Sequence, residues 1–78
     1  MKITVRAYAH LRHFLPDKKE FVDLDIEKEI TIKSILDMLT IPMAEILTVV
    51  INGNNISDYN TIISSDTKID ILPIVAGG

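Results

Sequence analysis

The chain has 78 residues, 47% of them hydrophobic and only 5% aromatic, with a net charge of −3. That length is one small domain whose single core must be well packed, and a core of Ile, Leu and Val favours strands. The absence of cysteine excludes disulfides, thiolate metal sites and a cysteine nucleophile; no basic stripe points to nucleic acid, and no apolar run approaches the roughly 18 residues that span a bilayer.

Residues 2–8 alternate. Ile3, Val5 and Ala7 point one way and Lys2, Thr4, Arg6 and Tyr8 the other, which predicts a half-buried strand. The charges inside this alternation do not read as a signal-peptide core, so a cytoplasmic location is expected. Residues 9–15 lose the alternation and predict a short helical turn stopped by Pro16, with Pro16-Asp17 as a turn. Alternation returns at 20–26, with Val22, Leu24 and Ile26 on one face and Phe21, Asp23 and Asp25 on the other. Asp23, Asp25, Glu27 and Glu29 make this an acidic edge, read first as a solvated face that discourages edge-to-edge pairing.

Thr31 is an N-cap candidate, and Ile32, Ile35, Leu36 and Leu39 follow at helical spacing. Ile30 and Ile35 occupy the two positions of a hydrophobic staple. Pro42 forbids continuation, so the helix is expected to end near Thr40 or Ile41 after about ten residues and to need a sheet beneath it. Leu47, Val49 and Ile51 then alternate with Thr48, Val50 and Asn52 as a third strand, running into the tight-turn cluster Asn52-Gly53-Asn54-Asn55. Ile56 returns as a short fourth strand. Residues 57–60 are a polar loop, 64–66 a turn, and 67–72 the last strand, with Pro73 ending its pairing or limiting it to an edge.

The order β-β-α-β-β-β predicts an α+β fold of the β-grasp (ubiquitin-like) type. It has a mixed sheet, one main helix across one face, and the last strand parallel beside the first. The domain is expected to span 1–72 and an extended tail 73–78. That tail, Pro73-Ile74-Val75-Ala76-Gly77-Gly78, carries no charged side chain and its side chains shrink toward the end. A frayed, inert terminus is the plain alternative, but frayed ends tend to be polar.

Residues 66–78, DTKIDILPIVAGG, together with residues 1–16, MKITVRAYAHLRHFLP, resemble the MoaD/ThiS sulfur-carrier family. The latter stretch carries the Ala-x-Leu-Arg pattern as Ala9-His10-Leu11-Arg12 and is most similar to small subunits of molybdopterin synthase. The resemblance covers essentially the whole chain, and the tail is its most specific part. It implies a carrier and not an enzyme, with Gly78 as the reacting residue. Its terminal carboxylate would be adenylated with ATP by a ubiquitin-activating-type adenylating enzyme, then converted to a thiocarboxylate. Sulfur would come from a cysteine desulfurase or a rhodanese system, and a molybdopterin synthase large subunit would receive the tail. No permanently bound cofactor is implied, and no nucleic-acid or membrane partner. Delivery to thiamine thiazole, transfer RNA or a tungsten cofactor, and conjugation to proteins as a ubiquitin-like modifier, stay open, as does a plain interaction module.

Pro73, Ile74, Val75, Ala76 and Gly77 would bind the partner's groove. Glycines at 77 and 78 allow close backbone approach, and Pro73 stiffens the exit. Phe21, Val50 and Leu72 are the candidate partner surface on the sheet. His10 and His13, three apart, lack further ligands at metal-binding spacing and read as solvent-facing, so no metal is expected. Met38 and Met43 fit either core or interface, and Tyr59 reads as a loop latch. Nothing resembles a base–nucleophile pair, a phosphate loop or a carboxylate dyad.

Overall fold

In the computed structural model, which describes residues 1–74, the first strand β1 (Lys2–Ala7) buries Ile3, Val5 and Ala7, as its alternation requires. The chain then winds through 3-10 segments at Ala9–Phe14 and Pro16–Lys18, where Leu11 and Leu15 turn into the core. It returns as β2 (Phe21–Asp25), antiparallel to β1 with Val5 opposite Val22. A two-residue strand, β3 (Ile30–Thr31), leads into the helix α1 (Ile32–Met38). Then follow β4 (Ile46–Ile51), β5 (Asn54–Ile56), β6 (Ile62–Ile63) and β7 (Thr67–Pro73).

The main sheet has the order β2-β1-β7-β4-β5. β7 lies at its centre, parallel to β1 with Ala7 opposite Ile71, and antiparallel to β4. This is the α+β ubiquitin-like β-grasp arrangement. A short ribbon of β3 and β6 is added to the predicted order. Strands of two residues are too short to show a period, so the pattern could not announce them.

The start of the helix is held partly by groups from elsewhere in the fold. The Thr31 hydroxyl accepts from the Ser34 N–H at 3.1 Å, as an N-cap should. The Ile32 and Lys33 N–H groups, which have no partner inside the helix, donate to the carbonyls of Thr61 (3.1 Å) and Tyr59 (2.9 Å). Tyr59 therefore acts as the loop latch through its backbone, while its half-buried side chain packs on the core.

The helix is seven residues long, shorter than its sequence pattern suggests. It stops before Pro42 can act, because Thr40 takes φ = 56°. The Ile41 N–H then reaches the Leu36 carbonyl at 2.9 Å and the Thr40 N–H reaches that of Asp37 at 3.1 Å. These two bonds are a Schellman C-cap with threonine where glycine is usual. Ile32, Ile35 and Leu36 face the sheet and join Ile3, Val5, Val49, Ile69 and Ile71 in one aliphatic core.

The Asn52-Gly53 turn is a two-residue hairpin loop with positive φ at both positions, 49° and 89°, the geometry that favours Asn-Gly. Asn52 also fastens the hairpin to β7. Its N–H donates to the Lys68 carbonyl at 3.0 Å and its side-chain oxygen accepts from the Lys68 N–H at 3.1 Å.

β4 differs from its sequence pattern. A bulge lies between Ile46 and Thr48, so Ile46 and Val49 are both buried while Leu47 is 64% exposed. Strict alternation would have put Leu47 on the same face as Val49. The extra residue changes the phase of the strand and turns Leu47 outward.

Candidate functional site

The site is the end of the central strand β7, at Pro73 and Ile74. Parallel pairing brings the Tyr8 N–H to the Ile71 carbonyl at 3.1 Å. The next bond of such a ladder would need an N–H at residue 73. Proline has none, so pairing with β1 stops there. On the other side β7 continues: Pro73 lies opposite Ile46, and the Ile74 N–H donates to the Glu45 carbonyl at 3.1 Å.

The strand thus runs one residue past the boundary expected between Leu72 and Pro73, and Ile74 is still tied to the domain. Pro73 is half-buried and belongs to the strand, while the Ile74 side chain is 49% exposed. Val75, Ala76, Gly77 and Gly78 lie outside the described residues.

Around this strand end stand Tyr8, Met43, Leu47 and Leu72. Met43 opens the 3-10 turn Met43–Glu45 that feeds β4, and Tyr8, Met43 and Leu47 are all exposed apolar side chains. The sequence pattern put Leu47 on the face of Val49 and Ile51 and gave Glu45 no role. The signal for the bulge was present, since Ile46 and Val49 are both apolar and three apart, a spacing no regular strand can bury on one face. The backbone role of Glu45 has no signature in its side chain.

Phe21, Val50 and Leu72 all reach the outer face of the sheet, opposite the helix. The register separates them, however. Phe21 is opposite Arg6, Arg6 is opposite Asp70, and Asp70 is opposite Val50. Phe21 is 47% exposed, Val50 and Leu72 are half-buried, and charged residues stand between Phe21 and the other two. The outer face is therefore a mixed surface and not one apolar patch. Asp23 on the acidic strand accepts from the Thr4 hydroxyl at 2.6 Å and lies 3.9 Å from the Lys2 ammonium, so part of that charge is engaged within the sheet.

His10 Nε2 lies 3.4 Å from Glu45 Oε1, on the residue whose carbonyl holds Ile74. His13 is exposed on the same 3-10 segment. Met38 is 54% exposed on the helix. Among the described residues no three His, Cys, Asp or Glu side chains gather as a metal site would require. No helix among the described residues is long and apolar enough to cross a membrane.

Comparison with known proteins decides the family. The model of the Mut7-C ubiquitin family matches residues 1–77. The chain belongs to the Mut7-C ubiquitin family. No curated protein sequence matches it. Among solved structures it is similar to SAMP1 from Haloferax volcanii, with a TM-score of 0.76 and 16% identity over 100% of both chains. It is also similar to a chain in the complex of subunits 1 and 2 of molybdopterin-converting factor from Helicobacter pylori, with a TM-score of 0.67 and 20% identity over 100% of both. A third is the HVO 2177 protein of Haloferax volcanii, with a TM-score of 0.74 and 19% identity, covering 100% of this chain and 87% of that one. At these identities the likeness is one of fold. It agrees with the family model and with the β-grasp fold expected from the sequence: a ubiquitin-like domain.

Proposed function

We propose that the chain is a sulfur carrier whose Gly78 carboxylate is the reacting group, and that it donates sulfur in molybdopterin synthesis. The observation that supports this most is the placement of the C-terminal segment. It follows directly on the central strand, whose end is free of β1 at Pro73 and anchored through Ile74 on the β4 side. A rigid root of this kind lets an extended terminus be threaded into a partner's pocket at low ordering cost.

A carboxylate at neutral pH is ionised and a poor acyl donor. Adenylation by a ubiquitin-activating-type enzyme solves this. A carboxylate oxygen bonds to the α-phosphorus of ATP and diphosphate leaves. The persulfide of a cysteine desulfurase or rhodanese system then attacks the acyl carbon through its outer sulfur, and AMP departs with the oxygen. A second thiol of the partner system attacks the inner sulfur of the acyl disulfide, forming a disulfide with the donor cysteine and releasing the thiocarboxylate. The thiocarboxylate so formed is an anionic sulfur nucleophile, which a chain without cysteine otherwise lacks. The absence of a side chain at Gly77 and Gly78 leaves the acyl carbon open to both attacks. ATP is a substrate of the activating enzyme and not a cofactor of this chain. The receiving partner is a large subunit of the molybdopterin synthase kind, in keeping with the two-subunit complex that contains the Helicobacter pylori neighbour.

Mass spectrometry of the protein from its native cells tests this. Oxygen-to-sulfur replacement at the terminus is expected, and branched lysine adducts would instead make the chain a protein modifier. Removing Gly78, or adding one residue after it, should abolish AMP transfer without changing the circular dichroism spectrum. Variants that still accept AMP overturn the proposal.

A further inference from the structure

The net charge of −3 hides a local excess of cations. A cleft of about 540 Å³, within the size range of small-molecule sites, lies between the end of β1 and the 3-10 segment Ala9–Phe14. It is lined by Arg6, Tyr8, His10, Arg12, His13 and Glu20. Arg6 and Arg12 come from different elements and reach one cleft. Neither takes part in an ion pair among the described residues, although Asp70 is the cross-strand neighbour of Arg6.

The walls are held by the backbone. Leu11, between His10 and Arg12, is fully buried, and the Leu15 N–H donates to the Arg12 carbonyl at 3.0 Å. The Ala7 N–H donates to the Glu20 carbonyl at 2.9 Å and closes the far side. Two arginines carried on backbone-held segments, with histidines beside them and one carboxylate, give the cleft a cationic lining that suits an oxyanion. Guanidinium pairs with tetrahedral oxyanions through two parallel hydrogen bonds.

We propose that this cleft binds the phosphate group of a small molecule. A compact anion suits it better than an acidic polypeptide. A strand of acidic residues laid across the sheet would meet Asp23, Asp25 and Asp70 on the same face, whereas a single phosphate group meets only the cleft. A free phosphate and one carried by a nucleotide present the same chemistry to the cleft. This assignment does not depend on the carrier reading, and the two fail separately, because its test leaves the C-terminus untouched.

The test is titration of the isotope-labelled full chain, at low ionic strength, with inorganic phosphate, diphosphate and ATP in separate arms and sodium chloride as the reference. Saturable amide shifts confined to residues 6–13 and Glu20, with a dissociation constant near or below about 1 mM, are expected in at least one phosphate arm. Saturation by inorganic phosphate assigns a free-anion site; saturation by ATP alone assigns a nucleotide-borne one. Arg6→Gln and Arg12→Gln should each weaken binding roughly tenfold, the worth of one charge-assisted contact. Lys33→Gln, on the exposed face of α1, should leave it unchanged. Shifts that match those with chloride, that fail to saturate, or that survive both arginine substitutions overturn the proposal.

Discussion

The Ile74 N–H donates to the Glu45 carbonyl at 3.1 Å, and this bond ties the last described residue to the turn that precedes β4. On the β1 side the ladder has already ended at Pro73. Ile74 is thus held from one side only, by the residue just before β4. Ile74→Pro removes the donor while keeping an extended backbone. It should cost about 1 kcal/mol, read as a lower urea midpoint with an unchanged m-value. A variant as stable as the parent would mean that the bond contributes nothing to the root of the segment.

Thr40 is the clearest site for stabilisation. A β-branched residue with φ = 56° is strained, and its hydroxyl donates only to the adjacent Leu39 carbonyl at 2.6 Å. Thr40→Gly keeps both bonds of the helix cap and relieves the crowding at Cβ. A gain of about 0.5–1 kcal/mol is expected by chemical denaturation. Loss of stability would show that the threonine side chain does more than the backbone geometry implies.

Leu11 and Leu47 are both leucines, and composition cannot separate them. Leu11 is fully buried and Leu47 is 64% exposed on the bulge. Leu11→Ala should cost about 2–5 kcal/mol, since it leaves a cavity under the 3-10 segment. Leu47→Ala should stay within about 0.5 kcal/mol. Thermal and urea unfolding of the pair checks the bulge directly, because regular alternation in β4 predicts a large cost for Leu47 as well.

The N-cap gives a fourth measurement. Thr31→Ala removes the acceptor for the Ser34 N–H and should cost about 1 kcal/mol. Because the Ile32 and Lys33 N–H groups are held by Thr61 and Tyr59, the helix should remain formed. Far-ultraviolet circular dichroism at low denaturant should therefore match the parent.

Much of the fold was legible because period is a local property. Ile3, Val5 and Ala7 announced β1, Ile32, Ile35 and Leu36 announced α1, and Asn52-Gly53 announced the hairpin. The length of α1 was overestimated because its stop depends on one backbone angle at Thr40, a residue type that does not advertise positive φ. The candidate site was legible in part. Pro73 marked the end of β1 pairing, whereas the grip of Glu45 on Ile74 acts through a carbonyl that every residue possesses. Phe21, Val50 and Leu72 share the outer face, but alternation carries no information about what stands between them across strands.

By itself the sequence determined which faces are apolar, where the turns fall, and that residues 73–78 carry no charged side chain. These follow from side-chain chemistry along the backbone. Only the tertiary structure decided that β7 is central, that Arg6 and Arg12 line one cleft, that Leu47 turns outward, and that Ile74 is tied to Glu45. Each of these depends on register between segments distant in the chain, which is set by the packing of one shared core.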